Sequence, residues 1–371
     1  MFENSDFIIV GSGWFGCVCA YELSQKGYKV TVLEKRSHIG GNSCDAIDHQ
    51  TGIRYHLYGP HIFHIDDDRI LRYIKKFCSF NSYFHQVLTV HNGETFQLPF
   101  NLATINKFFG KSFSPEEAKK FIASQISAEK SSKISNLEDK CVNMIGREMY
   151  EAFIKNYTIK QWGKDPSELP PSIIGRIPFR YNYNNCYYNK KYHGIPIGGY
   201  RRIFESLLEK SRVILDLDFF DIRDQILPAK KIIYTGPIDK FFNYRFGRLE
   251  YRALEFKMER LCVDDFQGLA VMNYADADVP WTRICEPKHF YPEEKNKSGE
   301  TIIFKEFSKG AADGDPYYPI NDLRNQTLYS QYKREADKLE NIFFGGRLGE
   351  YKYYDMEGCV ASALKLADTF R

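Results

Sequence analysis

The 371 residues carry 51 basic and 48 acidic side chains, a formal net charge of +3. A chain this long outgrows one small core and packs as two or three units, and charge this evenly spread offers no basic stripe for nucleic acid. No uninterrupted apolar run reaches the roughly 18 residues of a membrane span, and nine scattered cysteines without a C-x-x-C pair read as reduced thiols of a cytoplasmic protein.

The first residues, MFENSDFIIVGSG, lead directly into a strand, without the basic n-region and separate apolar stretch of a signal peptide. DFIIV (6–10) is that strand. GSGWFG follows, then a helix to about Lys26 and a second strand, YKVTVLE (28–34), apolar on both faces as a buried parallel strand is. Strand, glycine turn, helix and strand make a βαβ unit. From Asp68, the residues Ile70, Leu71, Ile74 and Phe77 recur at helical spacing. VLTVHNGETFQLP (87–99) reads as a hairpin turning at Asn92-Gly93. Ser114-Pro115-Glu116-Glu117 is a capping box with proline at the first helical position. Val142, Ile145, Met149, Ala152 and Phe153 share a helical face, with Tyr157 one turn further, until QWGKDPSELPP (161–171) ends the pattern as a loop.

Beyond that loop the chain is strand-rich and aromatic. GGYRRIFESLLEK (198–210) is a glycine turn entering a helix, and VILDLDFF (213–220) and KIIYTG (231–236) are strands. Residues 249–310 hold several more strands, and NIFFGGRLGEYKYYDMEG (341–358) is strand, glycine-rich loop and the start of a last helix. This order predicts an α/β fold, a Rossmann-like domain interrupted by inserted units.

Gly11-Ser12-Gly13-Trp14-Phe15-Gly16 is the G-x-G-x-x-G dinucleotide fingerprint in its strand–turn–helix setting. Gly11 permits the tight turn, Gly13 admits the pyrophosphate to the backbone, and Gly16 lets helix and strand approach. The helix N-terminus supplies free N–H groups to the phosphates, and Glu34, at the end of the second strand, is placed for a ribose hydroxyl pair. Gly40-Gly41 and Gly345-Gly346-Arg347 add two further glycine approaches, which suit a long buried FAD better than a mobile nicotinamide.

IIVGSGWFG, EKRSHIGGN, YGPHIFH, YTIKQWG, ELPPSIIGRIP, VPWTRI, PYYPI and GRLGEYKYYDM, spread from about Asp6 to Phe370, together resemble the bacterial-type UDP-galactopyranose mutase family. The resemblance implies three domains. An FAD-binding Rossmann-like domain takes 1–80, 196–245 and 340–371; an inserted helical domain with a mobile substrate loop takes 100–175; an antiparallel β-sheet domain takes 81–99, 176–195 and 246–339. It implies interconversion of UDP-galactopyranose and UDP-galactofuranose with no net redox change, on FAD that is active when reduced. In the family scheme flavin N5 displaces UDP from the anomeric carbon, and the resulting iminium lets the sugar open and reclose. It further implies a homodimer whose product feeds surface polysaccharide, and leaves open an external reductant such as NAD(P)H.

Residue by residue, the resemblance assigns Arg176 and Arg283 to the diphosphate, against the alternative of ordinary ion pairs. Tyr157, with Phe153 a turn earlier, falls at the uracil-stacking position, while Tyr187, Tyr318 and Tyr353 supply hydroxyls around the diphosphate; the alternative for each is core packing. Trp162 opens the loop that closes over the sugar nucleotide, or anchors its base. Gly11, Gly13, Gly16, Glu34, Lys35, Gly40, Gly41, Asn42, Gly346, Arg347, Asp355 and Met356 line the cofactor, Arg347 also facing substrate; Asp355 is equally a helix cap. In RYHLYGPHIFHID (54–66) the spacing His56-x4-His61-x2-His64 fits no standard metal set, so no metal is expected. The resemblance makes His61 and His64 a wall beside the flavin and sugar, with His56 in the core.

Trp281 and His85 depart from the family pattern, where tyrosine and asparagine are more usual, which leaves UDP-N-acetylgalactosamine open as substrate. Two rival functions stand beside the mutase: an FAD oxidoreductase related to amine oxidases, and a sugar-nucleotide sensor that keeps FAD without turnover.

Overall fold

A computed structural model describes residues 4–127, 133–176, 178–226, 231–294, 296, 299–310 and 315–370, with the side chains of Gly175 and Arg176 outside the description. Strand β1 (Phe7–Val10), helix α1 (Trp14–Gln25) and strand β2 (Val30–Leu33) form the expected βαβ unit. They belong to a five-stranded parallel sheet in the order Ile342–Phe344, Lys231–Tyr234, β1, β2, Arg212–Ile214. Its two faces bury different side chains, as alternation along a strand requires. Phe7 and Ile9 pack with α1, the helix Arg201–Leu208 and the last helix, Met356–Ala367, while Ile8 packs with Leu33, Ile232, Phe219 and Phe241 on the opposite side.

A second sheet has seven strands in the order Tyr318–Pro319, Tyr251–Leu261, Thr301–Gly310, Arg283–Cys285, Val271–Tyr274, Val87–His91, Glu94–Leu98. All its pairs are antiparallel except Val271–Tyr274 with Val87–His91, which run parallel. The expected hairpin turns at Asn92 and Gly93, both at positive φ (51° and 76°), as a type I′ turn demands. Helices Leu102–Phe109, Pro115–Ser127 and Leu137–Ile145 cover one face of this sheet and share its core, where Val87, Phe96 and Phe304 meet Ile105, Ile122 and Val142. The capping box forms: Ser114 N and Oγ both donate to Glu117 at 2.8 and 2.7 Å.

The structure differs from the sequence reading in several places: Gly346–Gly349 of the expected loop is a helical turn, and the helix from Asp68 ends at Ile74, short of Phe77. The run 213–220 is not one strand. Pairing stops at Ile214, Asp216 turns the chain at φ 55°, and Asp218 accepts from the Phe220 N–H as the helix Phe219–Ile226 begins. Nor is the helical face from Val142 to Tyr157 continuous. Gly146 breaks it at φ 80°, and Glu151–Lys155 winds as a π segment before the helix Asn156–Trp162.

Candidate active site

A cleft of about 790 Å³ opens along the C-terminal edge of the parallel sheet and runs from the fingerprint to His61, Trp162, Arg347 and Met356. Every residue assigned to the cofactor from the sequence lines it. Its inner wall is backbone. A Cβ on Gly16 would collide with the Gly11 carbonyl oxygen, and one on Gly41 (φ 56°) would lie 2.9 Å from Gly13 Cα. Gly13 opens α1 with no acidic side chain in the first turn, so its N–H groups and partial positive charge are presented to the cleft. Gly345 passes over the Phe15 ring so closely that any side chain would strike it.

Glu34 is 5 % exposed. Its Oε2 accepts from Ser12 N and Oγ at 2.9 and 2.7 Å, and its Oε1 from Arg36 N at 2.9 Å. A carboxylate has about four acceptor sites, and three are taken, so one remains for a hydroxyl. Lys35 and Arg36 both reach Asp315, at 2.7 and 3.0 Å, and Arg36 also donates to Asn42 and lies 4.4 Å over the Tyr58 ring. The volume, the glycine backbone and the helix terminus suit an elongated dinucleotide.

At the far end the lining includes Arg347, Tyr317 and Tyr354, beside a cluster of further guanidinium and phenol groups. Arg347 sits 5.3–5.5 Å over the rings of Tyr317, Tyr318 and Tyr353, and donates to the carbonyls of Tyr354 (2.6 Å) and Tyr317 (3.2 Å). Tyr318 and Tyr353 stack at 5.1 Å and 6°, with Trp162 6.5 Å from Tyr318. Arg283 donates to Tyr157 Oη at 2.8 Å and pairs through Nε with Glu306 at 3.2 Å. Burial opposes the Arg283 charge, but the Glu306 carboxylate keeps its pKa well above the ordinary arginine range. Burial pushes the Tyr157 phenol up, against the pull of Arg283, so the phenol is neutral at pH 7.

The histidines separate. His56 is buried, accepts from His61 N and bonds the Tyr291 hydroxyl at 2.8 Å; burial drives its pKa well down, as for a core residue. His61 donates from Nδ1 to the Gly59 carbonyl at 2.8 Å and burial lowers its pKa to about 4, leaving a neutral ring whose Nε2 is an acceptor. His64 lies 4.1 Å from the Tyr188 ring centroid, its Nδ1 3.8 Å from Asp355. Asp355 is also the cap of the last helix, accepting from Gly358 N at 2.8 Å. His85 stacks on Tyr188 and sits 5.2 Å from Tyr187; burial, with Arg283 nearby, lowers it to about 3.

Two assigned residues stand apart. Phe153 is 4 % exposed and surrounded by His91, Phe96, Phe100 and Phe108, which occupy its ring as core. Arg176 closes a short turn, Ile173–Arg176, but its side chain lies outside the described residues. Sequence reading passed over Thr235, whose Oγ1 donates to Val10 O at the fingerprint, and Glu306 and Tyr317. For Glu306 there was a local signal: alternation along the strand TIIFKEFSKG puts this acid on the same face as Ile302 and Phe304.

A family model described as UDP-galactopyranose mutase matches residues 152–353, which span Tyr157, Trp162, Tyr187, Arg283, Tyr318, Arg347 and Tyr353. One described as an NAD(P)-binding Rossmann-like domain matches residues 9–77. Among curated proteins, a probable UDP-galactopyranose mutase of Klebsiella pneumoniae is 42% identical over 99% of this chain and 95% of its own length. A dTDP-fucopyranose mutase of Escherichia coli is 36% identical over 98% of this chain and 97% of its own. A solved structure of reduced UDP-galactopyranose mutase superposes with a TM-score of 0.78 at 14% identity, covering 98% of this chain and 93% of that one, a likeness of fold. The chain belongs to the UDP-galactopyranose mutase family, and is an enzyme of the isomerase class.

Proposed function

We propose that this enzyme interconverts UDP-galactopyranose and UDP-galactofuranose on FAD held reduced in the cleft, as a cytoplasmic homodimer supplied with electrons by an external reductant such as NAD(P)H. The observation that carries the reading is the junction at Arg347: one guanidinium lines the nucleotide cleft and also faces the stacked Tyr318–Tyr353 pair. When bound and reduced, FAD supplies an electron-rich ring nitrogen as nucleophile toward the anomeric carbon.

The chain's own residues do the rest. Arg283, together with Arg347, neutralises the charge that grows on a departing diphosphate, an electrostatic contribution typically worth a factor of about 10²–10³ per donor. Phenols of Tyr318 and Tyr353 hold phosphate oxygens without adding charge, and Tyr157 offers a ring to the uracil. Neutral His61 offers an acceptor to a sugar or cofactor N–H or O–H. Trp162, at the end of its helix, both anchors the following loop and covers the cleft, which excludes water from the reacting carbon.

Two experiments test this. Enzyme treated with dithionite and given UDP-galactofuranose should release the pyranose, with oxidised enzyme inactive; turnover that requires an external electron acceptor would favour the oxidoreductase, and UDP binding without turnover the sensor. The same assay with UDP-N-acetylgalactosamine and with dTDP-fucopyranose, the sugar nucleotide for which the Escherichia coli relative is named, fixes the sugar. Arg283→Ala should retain the flavin absorbance and lose roughly 10²–10³ of turnover; wild-type turnover would remove Arg283 from the reaction.

A further inference from the structure

Lys160 stands one helical turn beyond Tyr157, on the helix Asn156–Trp162. Its ammonium lies within hydrogen-bonding distance of four backbone carbonyls, those of Tyr274 (2.7 Å), Asp276 (2.8 Å), Val279 (3.0 Å) and Trp281 (3.2 Å). The first ends the strand Val271–Tyr274 and the other three lie in the loop that joins it to the strand opened by Arg283. A lysine ammonium has three N–H donors, so every one is committed and the fourth carbonyl shares. The loop's oxygens are turned inward on this one cation.

The same helix holds the same chain segment a second time, where Arg283 donates to the Tyr157 hydroxyl at 2.8 Å. We infer that Lys160 is a positioning residue: by drawing the carbonyls of residues 274–281 around its ammonium it sets where Arg283 stands relative to Tyr157, and so the affinity for the nucleoside diphosphate. This rests on the reading of Arg283 and Tyr157 as diphosphate and uracil contacts.

The charge matters as much as the length. A neutral amine has two donors and a lone pair, which would face carbonyl oxygens. The groups around Lys160 are Asp276 and Asp278 on the loop, both favouring its charge; His91, 2.6 Å from Asp276; Lys305, 4.9 Å over the Trp281 ring; and the Arg283–Glu306 pair. Burial outweighs the two aspartates and lowers the lysine to about 8. The ammonium is therefore present below that pH and is lost as pH rises through it.

The test is UDP affinity of the flavin-loaded enzyme. Lys160→Ala should keep its flavin and bind UDP roughly ten- to hundredfold more weakly, the scale of a small misplacement of a binding group. Added propylammonium, which replaces the missing stem and charge, should restore most of the loss, whereas choline, too bulky for the carbonyl ring, should not. Should Lys160→Ala not fold, the wild type still decides: its UDP affinity should fall as pH rises from 7 to 9, and that fall should vanish in Lys160→Arg, whose charge persists. Equal UDP binding by Lys160→Ala and wild type, or a wild-type affinity flat across that pH range, overturns the inference. A wild type that binds no UDP at all sinks the underlying reading instead.

Discussion

The two ends of the cleft are made of different material. At the nucleotide end the walls are backbone: Gly11, Gly13, Gly16, Gly41 and the N–H groups that open α1. At the other end Arg347 and Tyr317 line it, and next to them gather side chains from separate segments, namely Tyr157, Tyr187, Arg283, Tyr318 and Tyr353. At Gly16 and Gly41 that wall tolerates no substitution, because the offending atom is the first carbon of any side chain. A side-chain wall tolerates substitution structurally but loses its charge or ring. The contrast predicts opposite outcomes for mutations at the two ends, loss of cofactor at one and loss of turnover with cofactor intact at the other.

Gly16→Ala should produce the larger effect. The added methyl meets the Gly11 carbonyl oxygen and lies 3.2 Å from Ile9 Cγ2, so β1 and α1 must part. Overpacking against backbone costs about 3 kcal/mol or more, and the purified variant should carry almost no flavin by absorbance. Normal flavin content would break the comparison, because it would mean the backbone wall yields.

Glu306→Gln probes the other end. Glu306 is 4 % exposed and pairs with Arg283, whose side chain is 28 % exposed. Breaking a buried pair leaves an uncompensated charge; with Arg283 partly solvated, about 2–3 kcal/mol of stability should go. Flavin content should be unchanged. UDP brings an anion to the stranded guanidinium, so its stabilising shift in Tm should be larger in the variant than in wild type. A smaller shift would place the diphosphate away from Arg283.

How much of this was legible in the sequence follows the same division. The nucleotide end could be read because a backbone requirement leaves its mark as residue type at fixed spacing: three glycines in six residues, then an acid where β2 ends. The final strand and the last helix were equally plain from an apolar run and turn glycines. Residues 213–220 were not, since alternating Leu, Asp and Phe serve a strand or a helix start alike, and the choice fell to Asp216 turning the chain and Asp218 bonding the next turn. The roles of Glu306 and Lys160 depend on which distant segment lies alongside. Arg283 stands opposite Glu306 only through the register of two antiparallel strands, and the carbonyls around Lys160 come from a segment more than a hundred residues away. Family resemblance supplied the arginines and tyrosines there, because local spacing carries no trace of them.

The smallest expected effect concerns Phe153, where one helix face divides between the two kinds of environment. Four residues separate Phe153 from Tyr157, close to one helical turn, which would set both rings on a common uracil. Phe153 sits inside the π segment Glu151–Lys155 and Tyr157 on the helix beyond it, which changes their relative rotation. Phe153 turns into the ring cluster of Phe96, Phe100 and Phe108, while Tyr157 reaches Arg283. Phe153→Leu should therefore cost about 1–1.5 kcal/mol of stability, as a near volume-conserving core change does, and leave UDP affinity within a factor of about two of wild type. Tyr157→Leu, on the cleft side of the π segment, should weaken UDP by tenfold or more, about 1.4 kcal/mol. If Phe153→Leu weakens UDP as strongly as Tyr157→Leu while stability holds, the rings act together and the boundary between core and cleft lies a full turn earlier on this helix.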